Sequence, residues 1–321
     1  MNSTIGIGVL GAGTVGGTLV ARLVDEHAAI AAKTGLDLRV KRVAVRDLDK
    51  PRNFTVTDGV LTDDRLSVID DPDVDLVVEL MGGRDLAGDL VLAALEAGKP
   101  VVTANKELVA SRGPELIAAA ERSGVPFLFE AAVGGGIPII RPLSETLAGE
   151  PVERVLGIVN GTTNFILTRM AEDNADYGES LAEAQELGYA EPDPTADVSG
   201  ADAAAKAAIL ASLAFGTWVG IDDVYHEGID SLSPVDMAFA ADFGYAVTLI
   251  GIAERIGGGI SARVHPVMIP LDHPLSSIRG ATNANYIEGP SVGELLFSGP
   301  GAGGAPTATA VLGDIIDAAR E

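Results

Sequence analysis

The chain has no cysteine, which at once removes disulfides, thiolate metal sites and cysteine nucleophiles. It is also short of positive charge. Its 22 lysines and arginines stand against 46 aspartates and glutamates, giving a formal net charge of −24. Nucleic acid and anionic membrane surfaces need a positive field and are therefore poor partners. The shortage is sharpest for lysine, with only six in 321 residues: Lys33, Lys41, Lys50, Lys99, Lys106 and Lys206. The four histidines, His27, His226, His265 and His273, lack metal-ligand spacing. Long apolar runs are missing too. Residues 5–10 are apolar, but the run is far too short for a span and no basic stretch precedes it, so the expected location is cytoplasmic.

What is present suits a large folded protein. Hydrophobic residues make up 47% of the 321, enough to predict two domains rather than one. The acidic residues are scattered along the whole chain, a distribution resembling that of proteins from salt-loving organisms. The alternative is an ordinary acidic mesophilic enzyme.

Strand and helix patterns alternate through the first third. Residues 5–10, 39–45, 75–80, 100–104 and 126–133 read as strands, and residues 15–30, 86–97 and 114–123 as helices. This alternation predicts an α/β fold with a Rossmann-type doubly wound parallel sheet. After Gly134-Gly135-Gly136 the pattern changes to that of an α+β domain. Helical stretches at 139–147, 162–171, 181–187 and 201–214 mix with strand-like runs. Runs 247–255 and 260–269, separated by Gly257-Gly258-Gly259, read as an antiparallel hairpin. A last helix is expected over 307–319. The expected domains are 1–135 and 136–300, with a C-terminal segment, 301–321, returning to the first.

Gly11-Ala12-Gly13-Thr14-Val15-Gly16 follows the first strand and opens a helix, the context a dinucleotide fingerprint requires. Gly11 permits the tight turn, Gly13 lets backbone N–H groups approach a pyrophosphate, and Gly16 allows close helix–strand packing. The second strand ends at Arg46-Asp47. A carboxylate there suits the ribose hydroxyls of NAD, whereas an arginine suits the 2′-phosphate of NADP. Arg46, with Lys50 nearby, favours NADP and leaves NAD open.

Lys206 is a lone amine in the helix Ala203-Ala204-Ala205-Lys206-Ala207-Ala208-Ile209-Leu210, with Asp202 one turn before it. Such a pair usually forms an ordinary i,i+4 ion pair on a wet face. The flanking alanines and leucines offer no wet face, and a buried ammonium is costly unless paired or used. Glu191 and Asp197, just upstream, add carboxylates to the same stretch. The pattern reads as a catalytic centre rather than a surface ion pair.

Several segments together resemble the homoserine dehydrogenase family. They are the fingerprint, Thr103-Ala104-Asn105-Lys106, Glu130-Ala131-Ala132-Val133-Gly134-Gly135-Gly136-Ile137-Pro138, the Asn160-Gly161-Thr162-Thr163-Asn164 run, the stretch 187–206 and Gly301-Ala302-Gly303. The resemblance implies NAD(P)-dependent interconversion of L-homoserine and L-aspartate 4-semialdehyde, on the way to threonine, isoleucine and methionine. It implies that Lys206 moves the proton, that Lys106 also lies in the site, and that Glu191, Asp197 and Asp202 bind the amino-acid substrate. It further implies cofactor contacts from Ala12, Thr14, Val15, Thr103, Lys106, Gly188 and Gly303. A monovalent cation, usually sodium, would be held by backbone oxygens of Glu130, Val133, Gly135 and Ile137. A homodimer formed through the second domain is expected, and so is a short form without the appended regulatory domain. Two other readings stand beside this one: another NAD(P)-dependent oxidoreductase acting on a sugar or hydroxy acid, and a nucleotide-sensing protein without turnover. The acid cluster argues against the first, and the second has no use for a proton-transferring lysine.

Overall fold

The computed structural model describes residues 4–321. The chain forms two compact units, Met1–Gly136 with Gly303–Glu321, and Ile137–Ala302. In unit 1, strands with apolar side chains on both faces are covered on both sides, as parallel sheets demand. The order is β1 (Thr4–Leu10), α1 (Thr14–Asp25), α2 (His27–Thr34), β2 (Asp37–Ala44), β3 (Leu61–Thr62) and α3 (Leu66–Asp70), followed by β4 (Leu76–Glu79), α4 (Asp85–Glu96), β5 (Val101–Thr103), α5 (Lys106–Ser123) and β6 (Phe127–Leu128). The six strands are all parallel, in the order β3-β2-β1-β4-β5-β6, the doubly wound dinucleotide-binding arrangement. Ile7 and Val9 pack with Leu19, Val20 and Leu23 of α1 on one face. Leu10, Val77 and Val101 pack with Leu90, Leu108 and Leu116 on the other.

Three elements differ from the sequence expectation. The helix over 15–30 is broken at Glu26 (φ −96°, ψ 7°), and His27 Nε2 lies 2.7 Å from the Asp37 carboxylate at the head of β2. The helix expected from residue 114 begins at Lys106, because Asn105 caps it by accepting from the Leu108 N–H at 3.1 Å. Pro114 lies mid-helix on an exposed position rather than opening the first turn. The strand over 126–133 is only two residues long. It gives way to a 3₁₀ turn at Glu130–Ala132, whose first N–H donates to the buried Asp314 carboxylate at 2.8 Å.

Unit 2 contains β7 (Arg154–Ile158), α6 (Gly161–Asp173), α7 (Tyr177–Glu186), α8 (Thr195–Val198), α9 (Ala201–Phe215), β8 (Tyr225–His226) and α10 (Pro234–Asp242), then β9 (Tyr245–Ile256), β10 (Gly259–Pro270), β11 (Thr282–Gly289) and β12 (Gly293–Pro300). The stretch expected to be helical over 139–147 contains a π-helical turn, Pro142–Thr146. The strand order is β12-β11-β7-β9-β10-β8, antiparallel except for the β10–β8 pair. The predicted hairpin is β9–β10, turned by Gly257 (φ 56°) and Gly258 (φ 85°); positive φ at both central residues is what a two-residue turn of this hand requires. The chain then returns to unit 1 as α11 (Gly304–Ala318), whose Ala308, Val311 and Ile315 join the core beside α1.

Asn164, in the first turns of α6, pins the approach to β11. Its buried Nδ2 lies 3.3, 2.9 and 3.1 Å from the carbonyl oxygens of Ile278, Gly280 and Thr282. Thr168 Oγ1, one turn later, accepts from the Gly280 N–H at 3.0 Å. Asn164→Asp keeps the volume and loses the donor, so about 2 kcal/mol of stability should go with it. The melting temperature is expected to fall by about 5 °C. An unchanged melting curve would remove the clamp.

Candidate active site

Unit 1 carries a nucleotide cradle made of three glycines with three separate jobs. Gly11 adopts φ 99°, and a Cβ there would sit 2.8 Å from the Leu80 carbonyl carbon. A Cβ on Gly16 would overlap the Gly11 carbonyl oxygen. A Cβ on Gly13 would meet nothing within 4 Å, so that side of the turn is open to a ligand. The first turn of α1 holds no acidic residue and Gly13 supplies no side-chain cap, leaving its N–H groups for an anion. These features fit a dinucleotide pyrophosphate. Ala12, Thr14 and Val15 lie within the same turn. Gly303 (φ 113°) caps α11, and Gly304 packs against Thr14 and Thr18, which sets the 303 backbone beside the head of α1.

Past β2, Arg46 is exposed and makes no hydrogen bond or ion pair among the described residues. The loop that carries it is organised from below by Arg52, whose guanidinium donates to the carbonyls of Asp47, Leu48 (3.2 Å) and Lys50 (2.7 Å). At the carboxyl ends of β4 and β5 lies a polar knot that the sequence reading missed. Glu79, wholly buried, accepts from Thr103 Oγ1 at 2.7 Å and from the N–H groups of Met81 (2.7 Å) and Gly82 (3.1 Å). Thr103 Oγ1 in turn accepts from the Asn105 N–H at 3.0 Å, and Asn105 Nδ2 donates to the Gly83 carbonyl at 2.6 Å. The one signal for it was a carboxylate in an otherwise apolar strand, Leu76-Val77-Val78-Glu79. Lys106 follows directly as the first residue of α5, at the sheet edge where open α/β folds bind ligands.

Of the four backbone positions implied for a cation, Glu130, Val133 and Gly135 (φ 57°) belong to unit 1 and Ile137 begins unit 2. Among the described residues no group of three or more His, Cys, Asp or Glu side chains could hold a metal ion.

Unit 2 carries the cluster of carboxylates around Lys206. Helix α9 packs on its sheet through small residues on both surfaces. Ala207 faces Gly251 of β9, where a Cβ would come within 3.3 Å of the alanine methyl. Leu210 lies over Gly157 of β7. Lys206 Nζ reaches the Val159 carbonyl just past β7, at 2.7 Å, and also donates to Asp202 Oδ2 at 2.7 Å. Only 12% of the lysine side chain and 10% of the aspartate's is exposed. Asp202 sits in the first turn of α9, where the helix dipole favours a negative charge.

A second bond joins the cluster to α6. Asn160 Nδ2 donates to Asp197 Oδ1 at 2.7 Å and to Asp202 Oδ2 at 2.9 Å. Asp197, Asp202 and Lys206 are thus drawn together. Glu191 is exposed, and its carboxylate makes no hydrogen bond among the described residues. The loop bearing it is held by Thr162 Oγ1, which donates to the Tyr189 carbonyl at 2.6 Å, and by the Tyr189 ring against Phe165, 5.0 Å between centroids. Gly188 (φ 76°) turns the chain out of α7, with open space where a side chain would be.

The family models for the homoserine dehydrogenase NAD-binding domain and for homoserine dehydrogenase match residues 11–130 and 138–316. The chain belongs to the homoserine dehydrogenase family. It is 52% identical to homoserine dehydrogenase of Corynebacterium glutamicum over 99% of its length and 72% of the relative's. Against the Bacillus subtilis homoserine dehydrogenase the identity is 46%, covering 97% of this chain and 72% of that one. The solved homoserine dehydrogenase of Thiobacillus denitrificans superposes with a TM-score of 0.94 at 46% identity, covering 99% of this chain and 74% of that one. A hyperthermophilic archaeal homoserine dehydrogenase in complex with NADPH gives a TM-score of 0.79 at 28% identity, covering 98% of each chain. The protein is therefore an NAD(P)-dependent oxidoreductase of amino-acid biosynthesis, interconverting L-homoserine and L-aspartate 4-semialdehyde. No helix among the described residues is long and apolar enough to cross a membrane.

Proposed function

We propose that Lys206 carries the proton in this reaction, and the observation that carries the reading is the shielded Lys206–Asp202 pair at 2.7 Å. An ammonium has three N–H donors. Two are committed to Val159 and Asp202, which leaves one for the substrate oxygen. In the reductive direction that N–H polarises the aldehyde and gives up its proton as the alkoxide develops; in the oxidative direction the free amine takes the proton from the homoserine hydroxyl. The nicotinamide, when bound, supplies or takes up the hydride. Glu191, with Asp197 and Asp202, offers the negative charge that a substrate α-ammonium needs, and Lys106, at the head of α5, is a second functional lysine in this reading. Lys206→Ala should lower kcat by about 10³-fold, the usual scale for a lost general acid–base group. NADPH affinity by fluorescence titration should barely change, and turnover within tenfold of the parent would reject the role.

NADP is the preferred cofactor in this reading, selected by the unpartnered guanidinium of Arg46 beyond β2. Gly11, Gly13, Gly16, Thr103, Gly188 and Gly303 would hold the rest of the dinucleotide. Arg46→Ala is expected to weaken NADPH binding by about tenfold, the scale of one charge-assisted phosphate contact, and to leave NADH binding unchanged. Equal losses for both nucleotides would contradict the assignment.

Three further proposals share one experiment. A sodium ion on the backbone oxygens of Glu130, Val133, Gly135 and Ile137 follows from family membership, and the left-handed Gly134 and Gly135 give that segment the sharp turn such a site uses. A homodimer is supported by the apolar stripe of α10 and its end, where Val235, Phe239 and Phe243 are 75%, 58% and 63% exposed. A salt-adapted protein is supported by the net charge of −24. Melting and sedimentation velocity across NaCl and KCl series read all three. A gain at millimolar NaCl unmatched by KCl, a dimer throughout, and a melting temperature that climbs toward molar KCl are expected. A monomer with flat melting in both salts would remove them.

A further inference from the structure

Asn160 does two jobs that no other side chain of its size does together. It is 5% exposed at the head of α6. Its Oδ1 caps the helix, accepting from the Thr163 N–H at 2.8 Å and from Thr163 Oγ1 at 3.1 Å. That contact fixes which way the amide faces, so Nδ2 points at the two carboxylates. Both N–H bonds are spent there, one on Asp197 Oδ1 at 2.7 Å and one on Asp202 Oδ2 at 2.9 Å. Two anions are thereby brought within hydrogen-bond distance of one neutral nitrogen. Nearby like charges disfavour ionisation, and donors to the charged form restore it.

We propose that Asn160 is a positioning residue for the proton transfer: its amide holds Asp202 in the orientation that presents Lys206, while keeping Asp197 beside it as a second anion. The backbone takes part, because the carbonyl of the preceding residue, Val159, is the other acceptor for Lys206. One turn of chain at the end of β7 therefore fixes the lysine directly through a carbonyl and indirectly through a carboxylate. The charged groups around the amide are Asp197 of α8 and Asp202 and Lys206 of α9. Aspartate or serine would cap α6 as well as asparagine does. Aspartate has no N–H to give, and serine is too short to reach both acids. The cap alone does not call for asparagine; the pair of acids does.

This inference rests on the proton-transfer role given to Lys206, and the test separates the two. Asn160→Ser, Asn160→Asp and Lys206→Ala are compared by melting, NADPH affinity and the pH dependence of kcat for homoserine oxidation. Asn160→Ser keeps the cap, so its melting and NADPH affinity should stay near the parent's, whereas Asn160→Asp also sets a third carboxylate against Asp197 and Asp202 and should lower the melting temperature. Their kcat should fall by about 10²-fold, the scale of a misplaced catalytic group. The pH profile of kcat should change shape in Asn160→Asp, where a third carboxylate faces Asp197 and Asp202, and keep the parental shape in Asn160→Ser. An inactive Lys206→Ala with parental kcat in both Asn160 variants overturns the positioning role alone. An active Lys206→Ala overturns the acid–base reading and this role with it. In Asn160→Ser, loss of kcat that only tracks loss of melting temperature reduces Asn160 to a helix cap and also overturns the role.

Discussion

The Asp202 carboxylate is the point on which the catalytic half turns. One of its oxygens accepts from a lysine of the next helical turn and from an asparagine of another helix. An ammonium with little access to water keeps its charge only where acceptors replace the lost hydration. Here a carboxylate and a backbone carbonyl accept from Lys206 on two sides, and the third N–H is the one proposed to meet substrate. Such a pair is weak evidence for stability, because desolvating both ions offsets much of their attraction. Its value lies in orientation.

That orientation depends on how closely α9 approaches the sheet. Ala207 of the helix lies against Gly251 and Leu210 over Gly157, and the other alanines of α9 from Ala203 to Ala211 are buried as well. A Cβ at Gly251 would press on the Ala207 methyl, and one at Gly157 would clash with the side chain of Val159, whose carbonyl accepts from Lys206. Composition that looks merely bland in the sequence is thus a distance constraint. The same holds in unit 1, where Gly16 is required by the carbonyl of Gly11 rather than by any ligand.

How much was legible follows from this. The nucleotide-binding sheet was readable because each of its signals is local: a buried strand, a glycine turn, then a helix. The β9–β10 hairpin was readable from its glycines for the same reason. Lys206 and Asp202 were readable as an i,i+4 pair without a polar surround. What escaped were residues whose meaning is non-local. Glu79 serves Thr103, 24 residues later, and Asn160 serves acids 37 and 42 residues away. The start of α5 was misplaced because a proline was taken as its first turn, whereas Asn105 had already capped the helix nine residues earlier.

The nucleotide-binding unit is discontinuous, with α11 joining it after the whole of 137–302 has intervened. Until α11 is made, Leu19, Val20 and Leu23 lack the cover of Ala308, Val311 and Ile315, and Asp314 is not there to accept from the Glu130 N–H. On a ribosome that releases residues in order, the domain translated first is therefore the last to close. An apolar face stays open through the synthesis of the other unit, the interval in which such a chain is most exposed to aggregation and most in need of a chaperone.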